Sequence, residues 1–66
     1  MIVTLDPVNG DAYIYLVGVI GKGEAVRQKH CGPDIILDFN SAGQVIGIEL
    51  PGSMLLPELA SLAVEE

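Results

Sequence analysis

The chain is poor in the residues that usually hold so small a protein together. It has 66 residues, one cysteine, one histidine and no tryptophan. The single cysteine, Cys31, excludes a disulfide within the chain. A chain of this length buries only about 60% of its unfolded surface, and small scaffolds usually compensate with a disulfide, a metal or oligomerisation. A lone thiol, and an N-terminus without the basic and apolar parts of an export signal, predict a cytoplasmic protein.

Basic residues are also scarce. Three Lys and Arg residues stand against nine Asp and Glu residues, which gives a net charge of -6. The three bases all lie between residues 22 and 29, and residues 34–66 contain none. Such a surface repels phosphate backbones, which argues against direct nucleic-acid binding, and it attracts a basic protein partner. Solubility is the simpler explanation for the acids.

No apolar run is long enough to cross a bilayer. The longest, residues 12–21, falls well short of the roughly 20 apolar residues that a membrane span requires. Nevertheless, 50% of the residues are hydrophobic, and the mean hydropathy is +0.50. We therefore expect part of this apolar surface to be buried against another copy of the chain, and we predict a homo-oligomer, most simply a dimer.

What the sequence does contain is a succession of short β-strand patterns separated by turn signals. The predicted turns use Asn9 and Gly10, and Asn40 and Gly43. Pro57 suits the first position of a helix that extends to about Val64. The fold class is α+β, mainly β: an antiparallel β-meander of about five strands over residues 1–50, and a short C-terminal helix or tail over residues 53–66. The predicted strands are residues 2–5, 12–17, 24–29, 34–39 and 44–50; the third, the most polar, is assigned to an edge.

The last two strands form a hairpin that places apolar residues on both faces of the sheet. A three-residue loop, 41–43, sets the register. One short helix cannot cover two apolar faces, so we expect a second molecule to cover the remainder. The expected pairs are Phe39–Val45, Leu37–Gly47 and Ile35–Glu49 on one face, and Asp38–Ile46, Ile36–Ile48 and Asp34–Leu50 on the other. The residues expected to form the interface or support it are Tyr13, Tyr15, Ile36, Ile46, Ile48, Glu49, Leu59 and Leu62.

The candidates for chemistry are few. His30 and Cys31 are metal-ligand types, but neighbours on an extended chain point to opposite faces, and a structural zinc normally needs four ligands. A small-ligand or metal site that uses this pair at an oligomer interface is the alternative function. Asp34 and Asp38 share a face but lie roughly 13 Å apart, too far to share a proton. The sequence therefore predicts no catalytic residues, no cofactor and no enzyme.

Three further side chains have two possible roles each. Glu49 lies among apolar residues in this register, so it either pairs with Arg27 or Lys29 on a neighbouring strand or reaches water at the strand end. Tyr13 and Tyr15 share a face and could stack on single-stranded nucleic acid. The net charge favours packing in the core or the interface instead.

Two segments, LDPVNGDAYIYL and DIILDFNSAGQVIGIEL, resemble the small bacterial family catalogued as domain of unknown function 2283. The resemblance covers residues 2–50, and Leu5 and Asn40 depart from the usual family residues. It implies a β-meander with a C-terminal helix and no established catalytic role. By analogy, it also implies an antitoxin-like partner of a small toxin. The matching positions are Asp6, Tyr13, Ile14, Leu16, Asp38, Gly43, Val45, Gly47, Ile48, Glu49 and Leu50.

Overall fold

The computed structural model describes residues 1–65 and contains a twisted sheet with a short helical connection. Five strands pair in antiparallel fashion, and a sixth, short strand runs parallel to β1 at the edge. The strand order is β3-β4-β5-β2-β1-β6. The predicted mainly β class with a short C-terminal helix is confirmed. The elements are β1 (Ile2–Leu5), β2 (Asp11–Tyr15), β3 (Arg27–His30), β4 (Ile36–Phe39), β5 (Val45–Pro51), a 3₁₀ turn (Gly52–Met54), α1 (Pro57–Ala60) and β6 (Val64–Glu65).

The turns use short polar side chains that bond the local backbone. Asn40 Oδ1 accepts hydrogen bonds from the amides of Ala42 and Gln44, each at 3.0 Å. Gly43 has φ +80°, a conformation that a residue with a Cβ rarely adopts. In the turn between β1 and β2, Asp6 Oδ1 accepts the amide of Val8 at 2.8 Å. These bonds replace the ladder partners that the backbone loses where it reverses.

A β-bulge changes the register of the hairpin from the predicted one. Phe39 pairs with Val45 as expected, but the pairing then shifts, so that Asp38 lies opposite Gly47 and Leu37 opposite Ile48. Ile46 is the extra residue of β5, and its carbonyl accepts the amide of Leu16 at 2.9 Å. The expected pairs beyond Phe39–Val45 are therefore wrong. A bulge inserts one residue into one strand, which alternation of side chains cannot reveal.

Register and alternation define two faces of the sheet. The core face carries Val3, Ala12 and Ile14, which are 3%, 1% and 8% exposed. The other face, which we call the tyrosine face, carries Tyr13, Tyr15, Asp38, Gly47 and Glu49. Residues 52–63 connect β5 to β6, and because β2 and β1 lie between those strands, the connection must cross the sheet on one face.

The C-terminal helix is shorter than predicted. It ends at Ala60, and Val64 lies in β6, opposite Thr4 of β1. The β-branched Val64 suits a strand, and the backbone partners offered by β1 outweigh a weak helical pattern. The bounds of four strands also differ from the predicted ranges 12–17, 24–29, 34–39 and 44–50. These strands are β2 (Asp11–Tyr15), β3 (Arg27–His30), β4 (Ile36–Phe39) and β5 (Val45–Pro51). Among residues 1–65, no helix is long and apolar enough to span a membrane.

Candidate functional site: a polar network on the tyrosine face

The tyrosine face contains a hydrogen-bonded network that joins three strands across a fourth. Tyr13 of β2 donates its hydroxyl hydrogen to Asp38 Oδ2 of β4. Gln28 of β3 donates from Nε2 to Asp38 Oδ1 at 2.9 Å. Strand β5 lies between β2 and β4, so the Tyr13 side chain must pass over it to reach the carboxylate.

Gly47 makes this crossing possible. It lies opposite Tyr15 on one side of β5 and opposite Asp38 on the other. A Cβ added at Gly47 would lie within 2.7 Å of Tyr13 Cε1 and would overlap the hydroxyl group. Real Cβ atoms do not approach other atoms so closely, so any other residue at this position would displace the tyrosine. The glycine therefore provides space for a side chain from the neighbouring strand.

Asp38 is the acceptor around which the network is built. Its side chain is 7% exposed, yet both carboxylate oxygens accept a hydrogen bond. A buried carboxylate is tolerated when such bonds replace its hydration. Among the described residues, no buried side-chain nitrogen or oxygen lacks a hydrogen-bond partner.

The environment keeps Tyr13 protonated. Burial raises the pKa of the Tyr13 hydroxyl well above its usual value, and the hydrogen bond to Asp38 and that carboxylate's negative charge raise the pKa further. A phenol in this state donates a hydrogen bond and is not a base or nucleophile near neutral pH. The two hydrogen bonds to Asp38 therefore link strands β2, β3 and β4.

Beside the network is an open, acidic hollow. The residues that line it include three acids, Asp6, Asp11 and Glu49, and the two tyrosines, Tyr13 and Tyr15. The two rings lie 4.6 Å apart between centroids, tilted by 52°. No basic residue is found among the described residues that line the hollow. The arrangement suits a cationic group, which carboxylates attract and which aromatic faces stabilise.

The ion pair with Arg27 or Lys29, one of the two roles considered for Glu49, does not form among the described residues. Among the described residues, Glu49 forms neither an ion pair nor a hydrogen bond through its side chain. The bulge places Glu49 on the tyrosine face, whereas Arg27 and Lys29 alternate onto the core-face side of β3. Arg27 instead lies over the Phe39 ring, 4.4 Å from its centroid. Glu49 lines the acidic hollow instead.

His30 and Cys31 lie at the exposed end of β3. Cys31 is a free, exposed thiol, and its amide donates to the Ile35 carbonyl at 2.8 Å as the chain turns into β4. Between residues 1 and 65, no three His, Cys, Asp or Glu side chains are grouped closely enough to hold a metal ion. The structure thus brings no further ligand to this pair.

The residues singled out as interface or supporting positions occupy different surroundings. Tyr13, Tyr15, Ile36 and Glu49 share the tyrosine face, with Ile36 opposite Glu49. Ile48 lies on the core face, and Ile46 is only 1% exposed. Leu59 is half-buried, whereas Leu62 is 65% exposed.

Sequence reasoning missed the contact between Tyr13 and Asp38, and it missed Gln28 altogether. The contact joins residues 25 positions apart that are not on neighbouring strands. One signal could have identified it: a glycine inside an otherwise branched strand often marks the close approach of another group. That signal indicates Gly47, but it does not indicate which group approaches.

Comparison with known proteins gives one result. The model of the family described as "protein of unknown function (DUF2283)" matches residues 2–51. The match therefore covers β1 to β5 and stops before the connection to β6. No curated protein and no solved structure matches the chain.

Proposed function

This chain belongs to the DUF2283 family of proteins of unknown function, and on that premise we propose that it is a non-enzymatic interaction module. It acts as a homo-oligomer, most simply a dimer, in the cytoplasm. The observation that carries the proposal is an imbalance in apolar burial. Of the described residues, four hydrophobic side chains are buried and eleven large hydrophobic ones are exposed. A folded protein usually covers such a surplus with a partner.

The surface proposed for self-association is the end of the sheet where β1 begins and β2 finishes. We call it the apolar end, and it consists of Ile2, Leu16, Val17 and Val19, all of which are exposed. Ile2 and Val19 also line an open hollow with Tyr15 and Ile20. Residues 12–23 contain no acid. Two copies of a chain of charge -6 can therefore meet at this end without opposing carboxylates.

A matched pair of valine substitutions tests self-association. Val19→Glu places a carboxylate in the apolar end, and Val8→Glu makes the same change in the turn at the opposite end of the sheet. In sedimentation velocity at micromolar concentration, wild-type protein and Val8→Glu should sediment as a dimer. Val19→Glu should shift toward the 7.0 kDa monomer. A wild-type protein that sediments only as the monomer would contradict the proposal.

The second part of the proposal is a basic protein partner that binds the acidic hollow. Asp6, Asp11 and Glu49 provide the negative charge, and Tyr13 and Tyr15 provide faces for an arginine or lysine side chain. A small basic toxin is one partner of this kind, which would make the chain antitoxin-like. The non-enzymatic role is supported by the network itself, because both oxygens of Asp38 are engaged and Tyr13 retains its proton.

A titration with a short arginine-rich peptide tests the hollow. Glu49→Gln removes a charge from the hollow, and Asp34→Asn removes an equal charge from an exposed position before β4. We expect Glu49→Gln to weaken binding by about tenfold, as the loss of one charge-assisted contact does. Asp34→Asn should have a much smaller effect, due to net charge alone. Equal losses in the two variants would show that the peptide binds the overall charge and not the hollow.

A further inference from the structure

Strand β3 forms an open edge of the sheet. It hydrogen-bonds to β4 on one side, and no strand formed by residues 1–65 pairs with its other side. All four of its residues, Arg27–His30, are exposed. Alternate residues of an edge strand direct their amide and carbonyl groups away from the sheet, where they can pair with another extended chain.

This edge also carries two of the three basic residues of the chain. The chain has three Lys and Arg residues in all, which are Lys22, Arg27 and Lys29. Arg27 and Lys29 are two positions apart on β3, so they point to the same side of the strand, about 7 Å apart. Arg27 is held over the Phe39 ring. Among the described residues, neither base forms an ion pair, so both charges remain available to a ligand.

We propose that β3 accepts an extended acidic peptide of a partner protein as an additional strand. The backbone of the peptide would pair with the free edge. Acidic residues at alternate positions of the peptide would meet Arg27 and Lys29, because the strand period places both pairs on one side. This site lies on the opposite edge of the sheet from β1 and β6, and the inference does not depend on the proposed self-association or on the acidic hollow.

A second copy of this chain does not fit the edge. Two β3 strands would bring their bases together, which is unfavourable for directly opposed like charges. No two acids of the sequence lie two positions apart, so the chain contains no segment with the required alternation. The occupant is therefore an acidic strand from a different protein.

Lysines at the edges of sheets also serve to prevent pairing with other strands. The two roles make different predictions for an acidic strand. If the bases only guard the edge, the order of residues in an acidic peptide will not matter. If they select a strand, a peptide with alternating acids will bind better than one of the same composition with its acids adjacent.

The test uses two peptides of threonine and glutamate, one alternating and one with the glutamates contiguous. Binding is measured by titration calorimetry, and amide hydrogen exchange of the full chain locates the site. We expect the alternating peptide to bind about tenfold more tightly, which corresponds to one well-placed charged contact. We also expect it to slow exchange of the β3 amides. Equal affinity for the two peptides, or unchanged exchange in β3, would overturn the proposal.

Two lysine variants sharpen the assignment. Lys29→Gln removes a charge from the strand, and Lys22→Gln removes an equal charge from the loop before it. Lys29→Gln should weaken binding of the alternating peptide several-fold more than Lys22→Gln does. Equal losses would indicate attraction by net charge and would contradict strand addition. Sedimentation of the same variants reports self-association separately, so failure of one proposal is distinguishable from failure of the other.

Discussion

Strands β5 and β3 belong to the same sheet but differ in almost every physical respect. β5 is the longest strand, has a neighbour on each side and contains Ile46, which is buried. β3 is short, is exposed along its whole length and has one neighbour. Beside β5, the side chains of Tyr13, Asp38 and Gln28 are joined in one hydrogen-bonded network. On β3 the charged groups of Lys29 and Arg27 have no ionic partner among the described residues.

This difference between β5 and β3 shows that different physical constraints act on the centre and on the edge of the sheet. At the centre of the sheet, steric complementarity determines which residues are tolerated, because Gly47 in β5 leaves room for the Tyr13 side chain from β2. At the edge strand β3, the charged side chains of Arg27 and Lys29 are exposed to solvent, so charge matters there more than packing. Substitutions in β5 should therefore lower stability, whereas substitutions of Arg27 or Lys29 in β3 should alter binding and leave stability nearly unchanged.

The largest expected effect is the loss of core volume in β5. Ile46→Ala removes most of a fully buried side chain and should lower the free energy of unfolding by about 2–5 kcal/mol. The matched change beside β3, Val26→Ala, affects an exposed side chain and should stay within about 0.5 kcal/mol. Urea unfolding followed by circular dichroism measures both. Similar losses in the two variants would remove the distinction between centre and edge.

A smaller loss is expected when Gly47 is replaced. Gly47→Ala should displace Tyr13 and leave Asp38 without one of its donors, which costs about 1–3 kcal/mol. Gly21→Ala is the control, because its Cβ would meet only the flexible end of Glu24. In a Tyr13→Ala background the cost of Gly47→Ala should largely disappear. If the cost persists there, the glycine serves some purpose other than the passage of Tyr13.

Removal of the central acceptor should have a comparable or slightly smaller effect. Asp38→Ala deprives Tyr13 and Gln28 of their shared partner, and we expect a loss of about 1–2 kcal/mol, since both donors can turn toward water. Asp34→Ala removes an exposed carboxylate nearby and should change stability very little. The two variants can be compared by thermal unfolding. An unaffected Asp38→Ala protein would mean that the network does not stabilise the sheet.

The smallest effect is a pH dependence confined to alkaline solution. The folded-state pKa of Tyr13 lies above the unfolded value of 10.0. The protonated phenol therefore stabilises the native state fully below about pH 10, and this contribution is lost as pH rises through the folded value. Tyr13→Phe should show a shallower decline of stability above that pH. The variant retains Tyr15 and all three bases, so a difference between the two curves reports Tyr13 alone.

Much of the fold was predictable from sequence, and the reasons are local. The turn residues Asn40 and Gly43 act through bonds within four residues, and the polar composition of β3 indicated an edge before the strand order was known. The bulge at Ile46 and the pairing of β2 with β5 depend on contacts between distant segments. The hydrogen-bonded network on Asp38 depends on the bulge and on the pairing of β2 with β5. Neither the spacing of residues in the sequence nor the composition could therefore reveal it.

The concentration dependence of the midpoint of thermal unfolding, Tm, tests the proposed self-association most directly. If the exposed apolar side chains are covered by another copy, the folded state is stabilised by association, and Tm must rise with protein concentration. We expect Tm to rise clearly over about a hundredfold range of protein concentration, with unfolding monitored by far-UV circular dichroism. A Tm that does not change over this range would show that a single copy is sufficient, and it would contradict the proposal of an oligomeric interaction module.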